Sequence, residues 1–424
     1  MWRTPLTLLW TTPRRACRFR APSIIGSVND LAAPLRRAAP ALLGYAAVRA
    51  LGLVVLAVWS AARGKSAHTL LTARWDALWY TRVADLGYGY EVRLPNGDVH
   101  SNFAFFPLLP WLERLMHAVS PLSYADGGLV VSLLASLAAA WGIFAVVEHV
   151  YGRRNQEGHE ARPWKGGGGR RVGVCAVLLW AVLPVGIVQS MAYSESLFTA
   201  LAAWSLYAVL TGRWPAAGVL ALFAGLTRPV GLAVVAAVWV AGIASFVRDR
   251  STAPDPGARV WPRALGMALA PLGAAGYVLW VGHRTGKGPL GYLDVQAGWR
   301  NGFDGGAAFA RFVGEKFTSF PSAPAGVGLI VGVGLVIWLY VVGVRQRQPL
   351  PLLVYTGVVT ALALCASSYF GSKPRLLMPA FPLLLPLALA LARLRTSRSA
   401  WVVGGVAVAS AAYGAFWLNG SGPP

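Results

Sequence analysis

Residues 127–150 of the chain read GGLVVSLLASLAAAWGIFAVVEHV, an apolar stretch whose one charged side chain, Glu148, lies near its end. A helix needs about 20 such residues to cross the hydrocarbon core of a bilayer. The whole chain of 424 residues is 56% hydrophobic and 13% charged, with a mean hydropathy of +0.53. This composition excludes a disordered chain, a collagen and a small disulfide-rich module, and it indicates an integral membrane protein.

Ten further stretches are similarly apolar, so the sequence predicts an all-α polytopic bundle of about eleven transmembrane helices. Residues 1–38 form a basic arm that we expect to be cytoplasmic and disordered. A single membrane domain follows over residues 39–418, and residues 419–424 form a short tail. The predicted spans are 41–62, 127–150, 172–191, 196–211, 214–227, 229–247, 264–282, 325–344, 350–368, 376–393 and 400–418.

The basic residues predict the orientation of the bundle, because cytoplasmic segments carry an excess of lysine and arginine. With the N-terminus inside, the inner segments hold 23 basic and 5 acidic residues, and the outer segments hold 14 and 10. The net charge of +22 therefore reflects topology, and we expect a lipid bilayer, not nucleic acid, as the partner. Two outer loops, about residues 63–126 and 283–324, are too long for simple turns. We expect the chemistry there, on the extracytoplasmic face of a bacterial plasma membrane.

The first outer loop contains the run RWDALWYTRVADLG over residues 74–87, with no proline before the glycine. One helix over residues 71–86 is therefore predicted. Tryptophan and tyrosine favour the level of the lipid headgroups, so this helix should lie along the membrane surface and hold Asp76 close to it. An interfacial anchor without chemistry is the alternative.

The next run, NFAFFPLLPW over residues 102–111, is apolar but too short to cross the membrane. Pro107 and Pro110 should interrupt a regular helix there. We expect a re-entrant or surface segment, tolerated where protein covers its free backbone groups.

Charged residues recur at the outer ends of several spans. Glu195, in the run YSES, joins the third and fourth spans, and Arg228, in TRPVG, joins the fifth and sixth. Lys373 and Arg375, in SKPR, join the ninth and tenth. Because buried charge is costly in a membrane, their convergence with Asp76 predicts a functional site.

The runs RWD with WY, FFPLLP, YSES and TRPVG resemble those of the PIG-V type mannosyltransferases, which belong to the glycosyltransferase C superfamily. The resemblance covers roughly residues 40–395. It implies a multi-span enzyme that transfers a sugar, mannose in this family, from a polyprenyl-phosphate carrier on the extracytoplasmic face. The acceptor stays open among a glycolipid, a glycan and a protein hydroxyl. Superfamily members place a catalytic acid in the first outer loop, and Asp76 matches that position.

The roles of the candidate residues follow from this chemistry. The resemblance implies inversion at the anomeric carbon, for which one general base suffices, and Asp76 is the expected base. The departing lipid phosphate needs cations, and arginine can hold phosphate oxygens in a bidentate way. The residues expected at the donor phosphate are Arg74, Arg228, Lys373 and Arg375, and those expected at the sugar or acceptor are Glu195, Trp79 and Tyr80.

No metal or other cofactor is predicted, because the six histidines lack metal-ligand spacing. A divalent cation held by Asp76 with Asp85 or Asp98 stays open.

The alternative function is a multi-span transporter or lipid flippase. That class would show inverted repeats, broken helices near the midplane and charges on both sides of a central pathway.

Overall fold

The structure, a computed structural model, contains a short unit, Met1–Arg37, and a main unit, Ala38–Pro424. The membrane helices and the candidate site belong to the main unit. Most of the predicted basic arm and part of the predicted tail lie outside the described residues. Those described are residues 28–156, 168–252, 260–367, 369–420 and 422.

The described chain is mostly helical, and the predicted class, an all-α integral membrane bundle, is confirmed. In chain order the helices are α1 (Val28–Ala62), α2 (Ala67–Thr72), α3 (Asp76–Leu86), α4 (Leu108–Val119), α5 (Tyr124–Gln156), α6 (Gly168–Ala181), α7 (Ser194–Leu210), α8 (Trp214–Gly225), α9 (Leu232–Thr252), α10 (Val260–Leu269), α11 (Leu272–Thr285), α12 (Gly291–Gly298), α13 (Ala307–Glu315), α14 (Ala323–Arg345), α15 (Leu350–Cys365), α16 (Lys373–Leu377), α17 (Leu385–Arg393) and α18 (Thr396–Leu418).

Six helices of the described chain are long and apolar enough to cross a bilayer, or seven if one bent pair forms a single span. That pair, Phe370–Leu377 with Phe381–Arg393, bends by 76°. Helices α7, α8 and α15 are apolar but shorter, and α6 ends three residues before Pro184. Every predicted span overlaps one of these helices, and the count of eleven stays a prediction. The six long candidates are Ala32–Ala62, Tyr124–Gly152, Pro229–Arg250, Val260–Thr285, Phe320–Arg345 and Thr396–Leu418.

Aromatic contacts hold the buried centre of the main unit together. Trp180 of α6 is fully buried and stacks on Tyr45 of α1, with 5.5 Å between the ring centroids. Its Nε1 atom donates a hydrogen bond to the Met378 carbonyl, 3.1 Å away. An indole in an apolar interior needs such a partner for its N–H group. The bond therefore ties α6 to the bend between α16 and α17.

Arg49 stabilises the place where α6 ends. It lies within α1, is almost fully buried, and donates hydrogen bonds to the carbonyls of Ala181 and Gly186. The last carbonyls of a helix lack intrahelical partners and carry partial negative charge. The positive charge of Arg49, which is costly inside a membrane span, is therefore stabilised by these backbone carbonyls.

Glycines let the backbones of α8 and its neighbours touch. A Cβ atom at Gly273 of α11 would lie 1.9 Å from the Leu222 carbonyl oxygen, and one at Gly218 would lie 2.4 Å from the Gly266 oxygen. Membrane helices approach this closely only through small residues. These contacts hold α8, and the Arg228 turn that follows it, against α10 and α11.

The prediction that Pro107 and Pro110 interrupt a helix is wrong. Helix α4 begins at Leu108, with Pro107 as the residue before it and Pro110 in its first turn. Proline is tolerated there because the first N–H groups of a helix have no intrahelical acceptor. The segment is buried by the aromatic side chains of α11 and α12.

Helix α4 also presents an apolar stripe outward. Trp111, Leu115 and Val119, spaced four residues apart, are 51, 54 and 70% exposed. In α3, by contrast, Ala77 and Tyr80 are buried and Leu78 and Trp79 are half-buried. The interfacial helix predicted for the first loop is therefore better matched by α4 than by residues 71–86.

Two short antiparallel ribbons interrupt the helices. Strand β1 (Glu91–Arg93) pairs with β2 (Val99–Ser101), with Val92 opposite His100. Strand β3 (Gly302–Phe303) pairs with β4 (Ala366–Ser367). The second ribbon ties the second loop to the end of α15, close to the bent pair.

Candidate functional site

Asp76 begins a helix after a sharp turn, which corrects the predicted single helix over residues 71–86. Helix α2 ends at Thr72 and α3 begins at Asp76. Between them Trp75 adopts φ 50° and ψ −121°, and the Ala77 N–H donates to the Arg74 carbonyl at 3.2 Å. These angles are those of the first central residue of a type II′ turn, where glycine is usual.

Two carboxylates and two guanidiniums form a connected ion network at this turn. Asp76 Oδ2 accepts from Arg375 Nη1 at 2.7 Å. Arg375 Nε lies 3.3 Å from Glu195 Oε1, and Arg228 Nη1 lies 2.5 Å from the same oxygen. We call these four residues the ion network. Its formal charges cancel.

The members of the ion network differ in access. The Asp76 side chain is 25% exposed, whereas those of Glu195, Arg228 and Arg375 are 1, 12 and 9% exposed. A buried charge must be paired, and here each buried guanidinium touches a carboxylate. Asp76 is therefore the member that a molecule from outside reaches first.

Tyr80 is linked to the ion network through Ser194. Its hydroxyl lies 2.7 Å from Ser194 Oγ, which also accepts from Arg228 Nη1 at 3.2 Å. Burial raises the pKa of the Tyr80 hydroxyl, so it stays protonated and can donate. The residue is 4% exposed and packs edge-on against Phe105. This position fits support of the network better than contact with a sugar.

Trp79 joins the two long loops, and the Arg82 guanidinium lies 5.3 Å from the centroid of its ring. It stacks on Phe105, with 5.7 Å between centroids, and meets Trp299 edge-on at 4.9 Å. Trp299 in turn stacks on His100, and Arg300 pairs with Asp98 at 2.6 Å. The second loop is therefore fastened over the first beside the Asp76 helix. The sequence gives no specific signal for Trp299, which lies within the long second outer loop.

Arg74 and Lys373, both expected at a phosphate, point elsewhere. Arg74 Nη1 donates to the Leu418 carbonyl at 2.9 Å, at the end of α18. Lys373 Nζ donates to the carbonyls of Ala363 and Ala366 at 2.8 and 2.6 Å, at the end of α15. Of the predicted residues, the structure brings together Asp76, Glu195, Arg228, Arg375 and Tyr80.

The sequence leaves open a metal site formed by Asp76 with Asp85 or Asp98. Among the described residues, no group of three or more His, Cys, Asp and Glu side chains could hold a metal ion. Asp98 is engaged by Arg300, and Asp85 is exposed at the far end of α3. The side chain that meets Asp76 is a cation, Arg375.

The sequence matches no family model and no curated protein. Among solved structures, the chain is similar to ArnT from Cupriavidus metallidurans bound to undecaprenyl phosphate, at 17% identity and a TM-score of 0.47. It is similar to the apo state of that protein at 16% identity and a TM-score of 0.45. The matches cover 84 and 85% of this chain but only 61 and 56% of the ArnT chains. Function must therefore be argued from the site itself.

Proposed function

We propose that the protein is a membrane glycosyltransferase that moves a sugar from a polyprenyl-phosphate carrier to an acceptor hydroxyl. The observation that supports this most directly is the Asp76–Arg375 pair, a partly exposed carboxylate joined to a buried guanidinium. A proton acceptor and a phosphate-binding cation are thus held side by side. Sugar transfer from a lipid phosphate needs both.

In the proposed reaction the carboxylate and the guanidiniums have different roles. The acceptor oxygen attacks the anomeric carbon while its proton passes to the Asp76 carboxylate. The bond from that carbon to the phosphate oxygen breaks, and the electron pair leaves with the lipid phosphate. Arg375 and Arg228 stabilise the growing negative charge with N–H groups that the carboxylates leave free, since a guanidinium has five donors. A single base fits an inverting reaction.

The roles of the other predicted residues change in this proposal. Glu195 is nearly inaccessible and engaged by two guanidiniums, so it positions Arg228 and Arg375 and does not touch the sugar. Tyr80 positions Ser194 and Arg228. The donor-phosphate set reduces to the two arginines of the ion network, since the remaining cations bind helix ends. Trp79 packs the two loops together beside the site.

The finer assignments depend on the motif resemblance. We propose mannose as the sugar and a lipid, glycan or protein hydroxyl as the acceptor. We place the N-terminus in the cytoplasm and the ion network on the extracytoplasmic side of the plasma membrane, as the basic residues predict.

A transporter or lipid flippase is the second candidate, and one observation favours it. The pair α16–α17 bends by 76°, and Arg375 lies on its first half. Broken helices with charged groups are typical of transport sites. In this chain, however, Arg375 is paired with carboxylates in the ion network, and Lys373, on the same half, is held by backbone carbonyls at the end of α15.

Radiolabelled polyprenyl-phosphate-mannose distinguishes the two candidates. Membranes containing the protein, and matched membranes without it, are incubated with this donor, and the label is followed into other lipids, glycans and proteins. Protein-dependent transfer to a new molecule supports the transferase. Movement of intact labelled carrier between leaflets, without transfer, supports the flippase. Polyprenyl-phosphate-glucose in a parallel arm tests the sugar.

A further inference from the structure

A depression of about 370 Å³ lies beside the end of α18, on the same side of the bundle as the ion network. It is lined by two cations and three uncharged side chains: Lys65, Ser66, Thr69, Leu70 and Arg74. None of the steps proposed for sugar transfer uses it. Its volume is that of a small-molecule site.

Both cations are held in place by backbone. Lys65 Nζ donates to the Asn419 carbonyl at 2.7 Å. Arg74 donates to the carbonyls of Leu418, at 2.9 Å, and Gly420, at 3.3 Å, and its guanidinium lies 4.0 Å above the Trp75 ring. Free carbonyls at a helix C-terminus attract cations, so these bonds also cap α18. Capping α18 does not require the depression that Lys65 and Arg74 also line.

The cations keep unused donors. An ammonium group has three N–H donors and a guanidinium has five, and these contacts use one of the former and at most three of the latter. The ion pairs formed within the described part of the chain include neither Lys65 nor Arg74. Two positive charges thus face one depression without a carboxylate between them.

We propose that this depression binds a phosphate group. Arginine and lysine together provide the charge and the several donors that a phosphate requires. The site adjoins the C-terminal end of α18, where the apolar side chain of Phe416 is 58% exposed. A glycerophospholipid can place its headgroup phosphate between the cations and its chains along that helix. A soluble phosphate compound can supply the same group.

The test measures the binding of tritiated phosphatidylglycerol to the purified full-length protein in detergent. Lys65 is exposed, so Lys65→Gln should fold, and we expect at least a threefold loss of affinity. Lys65→Gln with Arg74→Gln should lose at least tenfold. The charge-conserving double variant, Lys65→Arg with Arg74→Lys, should retain most of the binding. It shows whether the loss of affinity in the double glutamine variant is due to the loss of charge. Arg63→Gln removes a nearby exposed cation outside the lining and should leave the affinity within twofold.

Competition by inorganic phosphate and by glycerol phosphate shows whether the bound phosphate group belongs to a lipid headgroup or to a soluble compound. Competition by either supports the site and indicates a soluble ligand, whereas binding of the lipid alone supports the site and indicates a headgroup. The proposal is overturned if neither binds, if Lys65→Gln binds like the unchanged protein, or if Arg63→Gln loses as much as Lys65→Gln. No sugar transfer is measured, so failure here is distinct from failure of the proposed transferase.

Discussion

Arg375 Nη1 lies 2.7 Å from Asp76 Oδ2, although the two residues are 299 positions apart in the chain. The first belongs to the bent pair near the C-terminal end and the second to a turn in the first loop. Their contact joins the two parts of the sequence that a sugar-transfer reaction would require to meet.

Asp76→Asn should reduce sugar transfer by about 10²–10⁴-fold, because an amide cannot accept the proton of the acceptor hydroxyl. The substitution keeps the shape of the side chain, so the protein should accumulate in membranes at an unchanged level. Rates of label transfer under single-turnover conditions measure the effect. Asp85→Asn, on the exposed far end of the same helix, is the matched control and should keep full activity. Equal rates for Asp76→Asn and the unchanged protein would remove Asp76 from the role of base.

Glu195→Gln should destabilise the protein by about 3 kcal/mol or more, because the buried guanidinium of Arg228 loses its carboxylate partner and Arg375 keeps only Asp76. The melting temperature in detergent should fall, and donor turnover should fall with it. Combining Glu195→Gln with Arg228→Met removes the unpaired charge, while Arg375 stays paired with Asp76, and should recover part of the stability. A double variant that is less stable than both single variants would contradict this account of the network.

Glu113 should make stability depend on pH. The residue is fully buried in α4, and the described residues give neither carboxyl oxygen a hydrogen-bond partner. Burial raises the pKa of this carboxyl well above its usual value of 4.5. The folded protein therefore keeps a proton that the unfolded chain releases, and stability is lost as pH rises above about 4.5, by up to about 1.4 kcal/mol per pH unit.

Glu113→Gln tests this coupling. The variant should melt higher than the unchanged protein at about pH 8 and nearly equally at about pH 4, since the amide has no proton to lose. Melting curves across that range measure it. Asp85→Asn should leave the slope unchanged. If the two slopes for the unchanged protein and Glu113→Gln coincide, the buried carboxyl does not control the pH dependence.

Gly273→Ala should destabilise the bundle by about 1–3 kcal/mol, because the added methyl group meets the Leu222 carbonyl where α8 and α11 touch. Gly276 lies on the same helix with open space around its Cα, so Gly276→Ala is the matched control. It should be neutral or slightly stabilising, since alanine favours helix formation. Thermal unfolding of both variants decides the matter. Similar melting temperatures would show that the helices can separate without cost.

The sequence predicted most of the helices and the meeting of the charges, for physical reasons. Long apolar runs need no tertiary information to be identified as membrane helices. Since alternate helix ends lie on the same side of a bundle, Asp76, Glu195, Arg228 and Arg375 could be assigned to one face. The contacts between them, and their partners, required the structure.

The features that escaped prediction depend on backbone geometry and side-chain direction. Nothing in the sequence signals a positive φ at Trp75, because glycine normally takes that place. The helix after Pro107 was missed because proline breaks a helix interior but starts a helix readily. Arg74 lies two residues from Asp76, yet its side chain caps α18 because carbonyls there were free to accept it.

The cancelling charges of the ion network also bear on how a donor arrives. Two carboxylates and two guanidiniums in close contact project little electric field beyond their own dimensions. The ion network therefore adds little long-range attraction for the anionic carrier lipid of the proposed reaction, and capture at the network depends on two-dimensional diffusion within the leaflet. The encounter rate should consequently vary with membrane viscosity and with the surface density of the carrier.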